Sequence, residues 1–358
     1  CGRVFMKISS LASTLLTGAL IAGLAGCAMV EKTDVAAVET APTKVVVGWM
    51  TSWATAGQIM QAMIHTNIGD LYEFKPEFHS FLFGPDINEA ALAGKVDVQN
   101  SGLVPTISLL AASDDWIVIG RLIDSPLSIV AREGSGIKTL ADLNGKTIAV
   151  PFGGGSHPYV LQRLEATGLT CGKEKGDVKL INLKPSEQAI AITQGSVEAV
   201  GTWEPQTALI LSKKMGYVID SERHLGVISI RKQIAKAHPE LVEKLLREYI
   251  EANYYVALHG RQTDQWFIKA AGFPEALLGN LKVIEPNTKA KNIDDININL
   301  SEEDIALGQR YADTMQKAGL LARPVNFKER VDLSYLENVL KTFPKQGSKT
   351  DLVKVTGD

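Results

Sequence analysis

The sequence predicts an α/β protein of two lobes, one of them inserted between two halves of the other. Short apolar runs alternate with segments that repeat apolar residues at helical spacing, a pattern that predicts parallel βαβ units. The alternation occurs in two successive series, and a return strand followed by a largely helical part completes the chain. We expect two crossings between the lobes, near residues 129–134 and 220–226, with residues 44–131 and 225–358 in lobe 1 and residues 132–224 in lobe 2.

The predicted elements follow the periodicity of the apolar residues. In the first series, strands are expected at residues 44–49, 74–83, 96–98 and 116–121, and helices at residues 57–68, 86–93 and 104–112. In the second series, strands are expected at residues 147–151, 179–183 and 199–203, with helices at residues 139–143, after residue 155 and at residues 186–193. A return strand is predicted at residues 226–230, and the later helices at residues 238–259, 265–271 and 301–318.

Composition is that of an ordinary globular protein large enough for two cores. The chain has 358 residues, of which 45% are hydrophobic and 22% charged. Lys and Arg number 37 against 40 Asp and Glu, for a formal net charge of −3, and no dense basic tract occurs. Electrostatics therefore gives no reason to expect nucleic acid as a partner.

The first 27 residues have the features of an export signal. Lys7 supplies a positive charge, and residues 11–26 form an apolar, small-residue run that is too short to span a membrane. The run ends on Leu-Ala-Gly before Cys27, which resembles the lipobox of bacterial lipoproteins, in which the cysteine is acylated. We predict a signal peptide at residues 1–27, lipidation at Cys27 and a flexible tether at residues 28–43. The alternative is an ordinary signal peptide cleaved nearby.

Cysteine and histidine usage points away from a disulfide framework and from a metal centre. With residues 1–5 regarded as an upstream translation artefact and Cys27 lipidated, Cys171 is the one cysteine left, so no intramolecular bridge is expected. The six histidines lie far apart without paired ligand spacing, and we interpret most of them as surface or helix residues. No nucleophile, base and orienting group can be assembled from the pattern, so we expect no metal, no cofactor and no enzyme activity.

Four predicted loops join a strand to a helix, at residues 49–54, 100–105, 152–158 and 202–205. In open parallel sheets, ligands bind beyond the carboxyl ends of the strands, where such loops converge. Two of these loops belong to each lobe, so we predict a ligand cleft between lobes that close by hinge motion. The candidate ligand-binding residues are Thr51, Ser52, Trp53, Asn100, Ser101, Gly102, Gly154, Gly155, Ser156, His157, Trp203 and Glu204.

The loop GGGSHPYVLQRLE, residues 153–165, carries the strongest local signal. Its glycines permit close backbone approach to a ligand, Ser156 can cap the helix or offer its hydroxyl, and a helix start favours an anion. His157 can donate to the same group. A plain capped helix is the alternative, and the stretch lacks the lysine of a phosphate-binding Walker loop.

The other candidates suit polar or planar ligands. Trp53 and Trp203 can cover an apolar or planar part of a ligand, or can pack between the lobes. Glu204 can accept hydrogen bonds from a ligand amine or ring N–H, or can face solvent. The small hydroxyl and amide residues of the first two loops suit an oxyanion or amide, although they are also ordinary turn residues.

Four stretches carry a resemblance to a known family. They are ALAGKVDVQNSGLVPT at 91–106, IKTLADLNGKTIAVPFGGGSHPYVLQRLEATGL at 137–169, AIAITQGSVEAVGTWEPQTA at 189–208 and AHPELVEKLLREYIEANYYVALH at 237–259. Their order resembles the nitrate/sulfonate/taurine and thiamine-precursor substrate-binding proteins of ABC importers, over about residues 44–340. The resemblance implies a periplasmic-binding-protein type II fold, with two crossover hinges and a ligand cleft between the lobes.

The expected function is therefore that of an exported, lipid-anchored binding protein. Its partners are a small solute, the permease and ATPase subunits of an importer, and a membrane reached through Cys27. We expect an oxyanion of the alkanesulfonate, taurine or nitrate class, although the four loops hold no Lys or Arg. The runner-up solute is a pyrimidine-type thiamine precursor held by Trp53 and Glu204.

Two other functions remain open at this stage. One is an enzyme similar to the eukaryotic thiamine-pyrimidine synthases, whose cysteine-rich motif this sequence lacks. The other is a surface adhesin or sensor on the same fold. Residues 274–299 depart from shorter family members, and we expect them near the cleft.

Overall fold

A single mixed β-sheet organises the folded part of the chain. The computed structural model describes residues 44–172, 177–346 and 348–357. The predictions for the signal peptide, the lipobox cysteine Cys27 and the tether lie outside the described residues. Among those residues, no helix has the length and apolar character needed to cross a membrane.

The nine strands found in the described residues have the order β2-β1-β3-β9-β4-β8-β5-β7-β6. They are β1 (Val46–Met50), β2 (Glu77–Phe81), β3 (Val98–Gly102), β4 (Trp116–Arg132), β5 (Thr147–Val150), β6 (Cys171–Gly172), β7 (Val178–Asn182), β8 (Ala199–Trp203) and β9 (Gly216–Arg231). Strands β1, β2 and β3 are parallel to one another, as are β5, β6, β7 and β8. The two parallel sets flank an antiparallel pair formed by β4 and β9.

The strands β4 and β9 are much longer than the sequence predicts. We expected strands of about five residues ending at Arg121 and beginning at Gly226, but β4 spans 17 residues and β9 spans 16. The two pair antiparallel along their whole length, from Trp116 with Arg231 to Arg132 with Gly216. Every residue of β4 except Arg132 is buried. The chain therefore passes between the two halves of the sheet inside paired strands and not in loops.

Helices cover both halves of the sheet. Those in the described residues are α1 (Ala56–His65), α2 (Ile68–Leu71), α3 (Gly84–Leu92), α4 (Leu103–Ala112), α5 (Ser156–Glu165), α6 (Pro185–Thr193), α7 (Gln206–Ser212), α8 (Lys232–Ala237), α9 (Pro239–Leu258), α10 (Gly260–Ala271), α11 (Glu302–Lys317) and α12 (Ser334–Gln346). The long helix α9 packs against α1 and α12. Helices α8 and α12 were not predicted, and α7 was expected without bounds as the helix that follows residue 205.

Two boundaries differ from prediction in ways that affect the site. The helix expected at residues 57–68 is two helices, α1 and α2, because the backbone is extended at Thr66. The strand expected at residues 96–98 begins instead at Val98 and continues to Gly102, so Asn100, Ser101 and Gly102 are strand residues and not loop residues. They pair with Ile228, Val227 and Gly226 of β9, and this pairing extends the strand.

Candidate ligand-binding cleft

The carboxyl ends of β3 and β8 face each other across the middle of the β4–β9 pair. Strand β3 ends at Gly102, level with Ile123 of β4, since Gly226 pairs with both residues. Strand β8 runs in the opposite direction and ends at Trp203, which pairs with Leu127 of β4. The two ends are thus separated by four residues along β4. This is the position at which ligands bind in open α/β sheets.

A small cavity occupies this gap, and three helices begin beside it. Helix α3 begins at Gly84, α4 follows Gly102 and α5 follows Gly155, and all three glycines line the cavity. The complete lining is Met50, Trp53, Gly84, Gly102, Pro105, Leu127, Gly154, Gly155, Trp203 and His224. Its volume is about 20 Å³, which is room for about one water molecule. Unpaired N–H groups at helix starts and the helix dipoles favour negative charge at such a place.

Glycine is required at these positions because the groups around them approach closely. A Cβ atom on Gly102 would lie 2.2 Å from Nε2 of His224, and one on Gly155 would lie 2.8 Å from the same atom. On Gly84 it would lie 2.2 Å from Cγ of Pro105. The imidazole of His224 therefore sits directly between the starts of α4 and α5.

His224 was missed by the sequence analysis, which interpreted most histidines as surface or helix residues. It lies on β9 opposite Ser125 of β4, with only 4% of its surface exposed. Its Nδ1 has no hydrogen-bond partner within the described part of the chain. Burial lowers the pKa of His224 to about 4, so the free imidazole is neutral at pH 7. The close approach of the His224 imidazole to Gly102 and Gly155 is visible only in three dimensions.

Trp53 and Trp203 form two walls of the cavity. The indole N–H of Trp53 donates to Oγ of Ser125 at 2.9 Å, and its ring centroid lies 5.8 Å from that of His224. The indole N–H of Trp203 donates to the backbone carbonyl of Ser52 at 2.9 Å. Trp203 belongs to β8 and Ser52 follows β1, so this bond joins the two halves of the sheet across the cleft.

Three of the predicted hydrogen-bonding residues are engaged within the protein. Thr51 and Ser52 donate their hydroxyls to backbone carbonyls at the end of β2, at 3.2 and 2.5 Å. The buried amide of Asn100 accepts from the hydroxyl of Tyr249 at 2.8 Å and donates to the sulfur of Met60. None of the three residues is in the cavity lining given above. Their contact with a ligand stays a prediction.

The hydroxyls of Ser101 and Ser156 are buried and have no partner among the described residues. Ser101 Oγ lies 3.0 Å from the position of a Cβ on Gly84, next to the start of α3. Ser156 is not the N-cap that the sequence suggested as one possibility. It is the first residue of α5, and Gly155 precedes it as the cap with helical backbone angles (φ −55°, ψ −38°). The hydroxyl of Ser156 therefore lies inside the first turn of the helix.

The remaining predicted residues, His157 and Glu204, lie away from the cavity lining. The ring of His157 stacks on Phe152 with centroids 4.3 Å apart, and it lines a separate surface pocket of about 770 Å³ that reaches α11. Burial lowers the pKa of His157 to about 4. One carboxylate oxygen of Glu204 accepts from the backbone N–H of Ala208 at 3.1 Å. Burial raises the pKa of Glu204 to about 7.

The segment at residues 274–299 contacts the middle of the sheet from outside the cavity. The carboxylate of Glu285 is 1% exposed and accepts two hydrogen bonds from Arg121, at 2.7 and 2.8 Å, and one from the backbone N–H of Asp124 at 2.5 Å. Leu277 packs with Ala208 of α7. The segment thus connects β4 with a helix that follows β8.

The chemistry available in the cavity is that of binding groups. The lining consists of residues at helix starts, two indoles, one imidazole and three apolar side chains, and His224 is its one titratable side chain. In the described residues, no group of three or more His, Cys, Asp or Glu side chains is placed to hold a metal ion.

Comparison with known proteins finds chains that are similar to this one in sequence. Residues 85–260 match the model of the NMT1/THI5-like family. A putative aliphatic sulfonates-binding protein of Escherichia coli K12 is 26% identical over 315 residues, which are 86% of this chain and 94% of that protein. The taurine-binding periplasmic protein of the same organism is 28% identical over 195 residues, covering 51% of this chain and 58% of that protein.

Solved structures extend the comparison to the fold. The periplasmic aliphatic sulphonate binding protein SsuA from Escherichia coli superposes with a TM-score of 0.68 at 24% identity, covering 82% of this chain and 92% of that one. The desulfurization enzyme DszB shares the fold at a TM-score of 0.59 and 15% identity, covering 84% and 99%. These matches confirm the resemblance that the sequence motifs predict: the chain has the type II periplasmic-binding-protein fold, and its sequence is similar to the NMT1/THI5-like family model and to sulfonate- and taurine-binding proteins.

Proposed function

We propose that the protein is an extracytoplasmic solute-binding protein of an ABC importer and that it captures a small oxyanion of the alkanesulfonate, taurine or nitrate class. Two lobes, residues 44–131 with 225–358 and residues 132–224, close on the solute and deliver it to the permease and its ATPase. In the middle of the β4–β9 pair, the pairing of β3 with β9 ends and the pairing of β8 with β4 begins. This change of neighbouring strands supports hinges in this part of β4 and β9.

The observation that carries the proposal is the convergence of three glycine-led helix starts on one small cavity. An oxyanion spreads its charge over several oxygens, each of which accepts hydrogen bonds from backbone N–H groups. No Lys or Arg is among the residues that line the cavity. Helix starts can hold an anion without such side chains, and the names of the sulfonate- and taurine-binding relatives support the same solute class.

The runner-up solute, a pyrimidine-type thiamine precursor, has less support. It relies on Trp53 for stacking and on Glu204 as the acceptor of a ligand amine. Trp53 does line the cavity, but the carboxylate of Glu204 bonds to the backbone of Ala208 and is not part of the lining.

We propose binding without a covalent step. The curated relatives cited above are named binding proteins, whereas one structural neighbour is an enzyme. A cavity lined by glycines, indoles and one imidazole offers no second titratable group to pair with His224 in acid–base catalysis. Incubation with a bound alkanesulfonate should therefore return the solute unchanged, and release of sulfite would contradict the proposal.

Export and anchoring complete the proposal. The predicted signal peptide and acylation at Cys27 would keep the protein beside its permease and raise its effective concentration there. A Cys27→Ser variant should move from the membrane fraction to the soluble extracytoplasmic fraction of cells. Its retention in the membrane fraction would contradict the lipid anchor.

Isothermal titration of the purified protein with ethanesulfonate, taurine, nitrate and hydroxymethylpyrimidine tests the solute class. We expect one oxyanion to bind at a ratio of 1:1. The variant Gly155→Ala should weaken that binding about tenfold or more, because its methyl group lies against His224 in the cavity. The matched control is Gly260→Ala, since a Cβ there meets no atom within 4 Å. Binding of the pyrimidine alone, or an unaffected Gly155→Ala variant, would refute the proposed site.

A further inference from the structure

We infer that His224 contacts the bound oxyanion directly and, at mildly acidic pH, takes up a proton when the solute binds, so that the protein itself supplies the positive charge that its cleft loops lack. This inference rests on the proposed function and assigns the residue that completes the site.

The first argument is position. Nε2 of His224 lies where a side chain on either Gly102 or Gly155 would collide with it, at the starts of α4 and α5 together. An oxyanion that accepts hydrogen bonds from backbone N–H groups of both helices must therefore contact the imidazole. The cavity of about 20 Å³ is also too small for a sulfonate group, so the imidazole has to shift or the lobes have to part as the solute enters.

The second argument is the lack of any competing partner. Nδ1 of His224 is buried without a hydrogen bond among the described residues, and Nε2 points to the cavity side between the glycines. The unbonded Nδ1 and the cavity-facing Nε2 are different nitrogens, and one anion in the ring plane reaches only Nε2. A bound oxyanion in the cavity is a partner for Nε2, because it accepts from the N–H of an imidazolium.

The surrounding elements contain few titratable groups that face His224. Tyr311 of α11 presents its ring edge at a centroid distance of 6.1 Å, and its hydroxyl donates to Glu222 at 3.2 Å. Trp53 and Ser125 on the side of β1 and β4 are neutral and bond to each other. On the side of α4 and α5, the residues that lie against His224 are Gly102 and Gly155.

The charged neighbours along the two strands are already paired. Arg223, next to His224 in β9, bonds to Asp304 at 2.5 Å and to Asp124 of β4 at 2.9 Å. Of the groups around the imidazole, none is therefore a free carboxylate that would hold it charged before the solute arrives.

The third argument is the direction in which anion binding shifts the pKa of His224. Burial lowers the pKa of His224 to about 4, so the imidazole is neutral in the free protein at pH 7. A bound anion favours the imidazolium and raises that pKa. Affinity must then increase as the pH falls from the pKa of the complex toward that of the free protein, and one proton enters with each solute.

The size of the effect follows from the shift. If the anion raises the pKa by about 2 units, from about 4 to about 6, affinity at pH 5 is about tenfold higher than at pH 8. Proton uptake at pH 5.5 is then about 0.7 per solute bound, the difference between the protonated fractions of the complex and of the free protein.

The experiment is a titration with ethanesulfonate between pH 5 and 8 in buffers free of sulfonate groups. Ethanesulfonate keeps a constant charge over this pH range, so any change in affinity or proton uptake comes from the protein. Affinity is measured by calorimetry, and proton uptake by the pH change of a weakly buffered solution that is titrated back. Wild type should show the tenfold change and the uptake.

Two variants make the test specific to one imidazole. His224→Gln keeps a hydrogen-bond donor but cannot titrate, so its affinity should be independent of pH and its proton uptake zero. His238→Gln is the matched control, because His238 is also buried but lies at the start of α9, outside the cavity lining. It should keep the wild-type response.

The outcomes separate this inference from the proposed function. Binding of ethanesulfonate without proton uptake, or an unchanged pH response in His224→Gln, overturns the role of His224 and leaves the proposed function standing. Failure of every oxyanion to bind at any pH overturns both.

Discussion

A side chain at Gly102 and the imidazole of His224 should be mutually exclusive, and the consequence can be measured without any ligand. The backbone of Gly102 (φ −70°, ψ 165°) suits alanine, so Gly102→Ala adds no backbone strain. The new Cβ would lie 2.2, 3.1 and 3.3 Å from three atoms of the imidazole. Because carbon contacts are optimal at about 3.5–4.0 Å, the ring must move by roughly 1 Å or more. We expect a loss of about 1–3 kcal/mol in the free energy of unfolding.

The assay is urea denaturation of the purified protein, arranged as a double-mutant cycle with His224→Ala. Removing the imidazole removes the collision, so Gly102→Ala should cost little in the His224→Ala background, with a coupling of about 0.5–3 kcal/mol. Gly260→Ala, with open space around its Cβ, should be neutral or stabilising by up to about 1 kcal/mol. A Gly102→Ala cost that is equal in both backgrounds would refute the placement of His224 between the helix starts.

Other predictions concern buried carboxylates. Since burial raises the pKa of Glu204 from 4.5 to about 7, its ionisation opposes folding; relative to Glu204→Gln, wild type should lose on the order of 3 kcal/mol of stability as the pH rises from 4.5 to 7, as measured by urea denaturation at each pH. Identical pH profiles would show that Glu204 is not buried in this way. Glu285→Gln should cost about 3–5 kcal/mol because it removes the carboxylate that accepts two hydrogen bonds from the buried guanidinium of Arg121, which then has Asp124 at 3.5 Å as its remaining counter-charge. Glu165→Gln, which breaks an exposed ion pair, should cost at most about 1 kcal/mol, and equal losses for the two variants would contradict the burial of Glu285.

The alternation of short apolar runs with apolar residues at helical spacing was sufficient to predict the α/β class and most strands. This is because strands of parallel sheets are short, apolar and bounded by polar turns. It was not sufficient for β4. The strand was expected to end at Arg121, and the residues Asp124, Ser125 and Pro126, which follow, are of types that are usual in turns. The pairing of β4 with β9 along 15 positions outweighs those local preferences.

The site was predictable in part for a similar reason. Of the predicted residues, five line the cavity: Trp53, Gly102, Gly154, Gly155 and Trp203. They lie at or just after the carboxyl ends of strands, and these ends converge at one edge of a parallel sheet whatever the exact strand boundaries are. The position of His224 depends on contacts with Gly102 and Gly155, which are 122 and 69 residues away in the sequence. No periodicity or motif contains that information. Glycines directly before two helices were the one available signal that a bulky group lies opposite them.

The most direct test is a crystal structure with bound ethanesulfonate, located by the anomalous scattering of the sulfonate sulfur. The sulfur should lie between the starts of α4 and α5, with sulfonate oxygens within hydrogen-bond distance of the backbone N–H groups there and of Nε2 of His224. A sulfur located in the pocket of about 770 Å³ between His157 and α11, with the cavity at His224 still closed, would contradict this site.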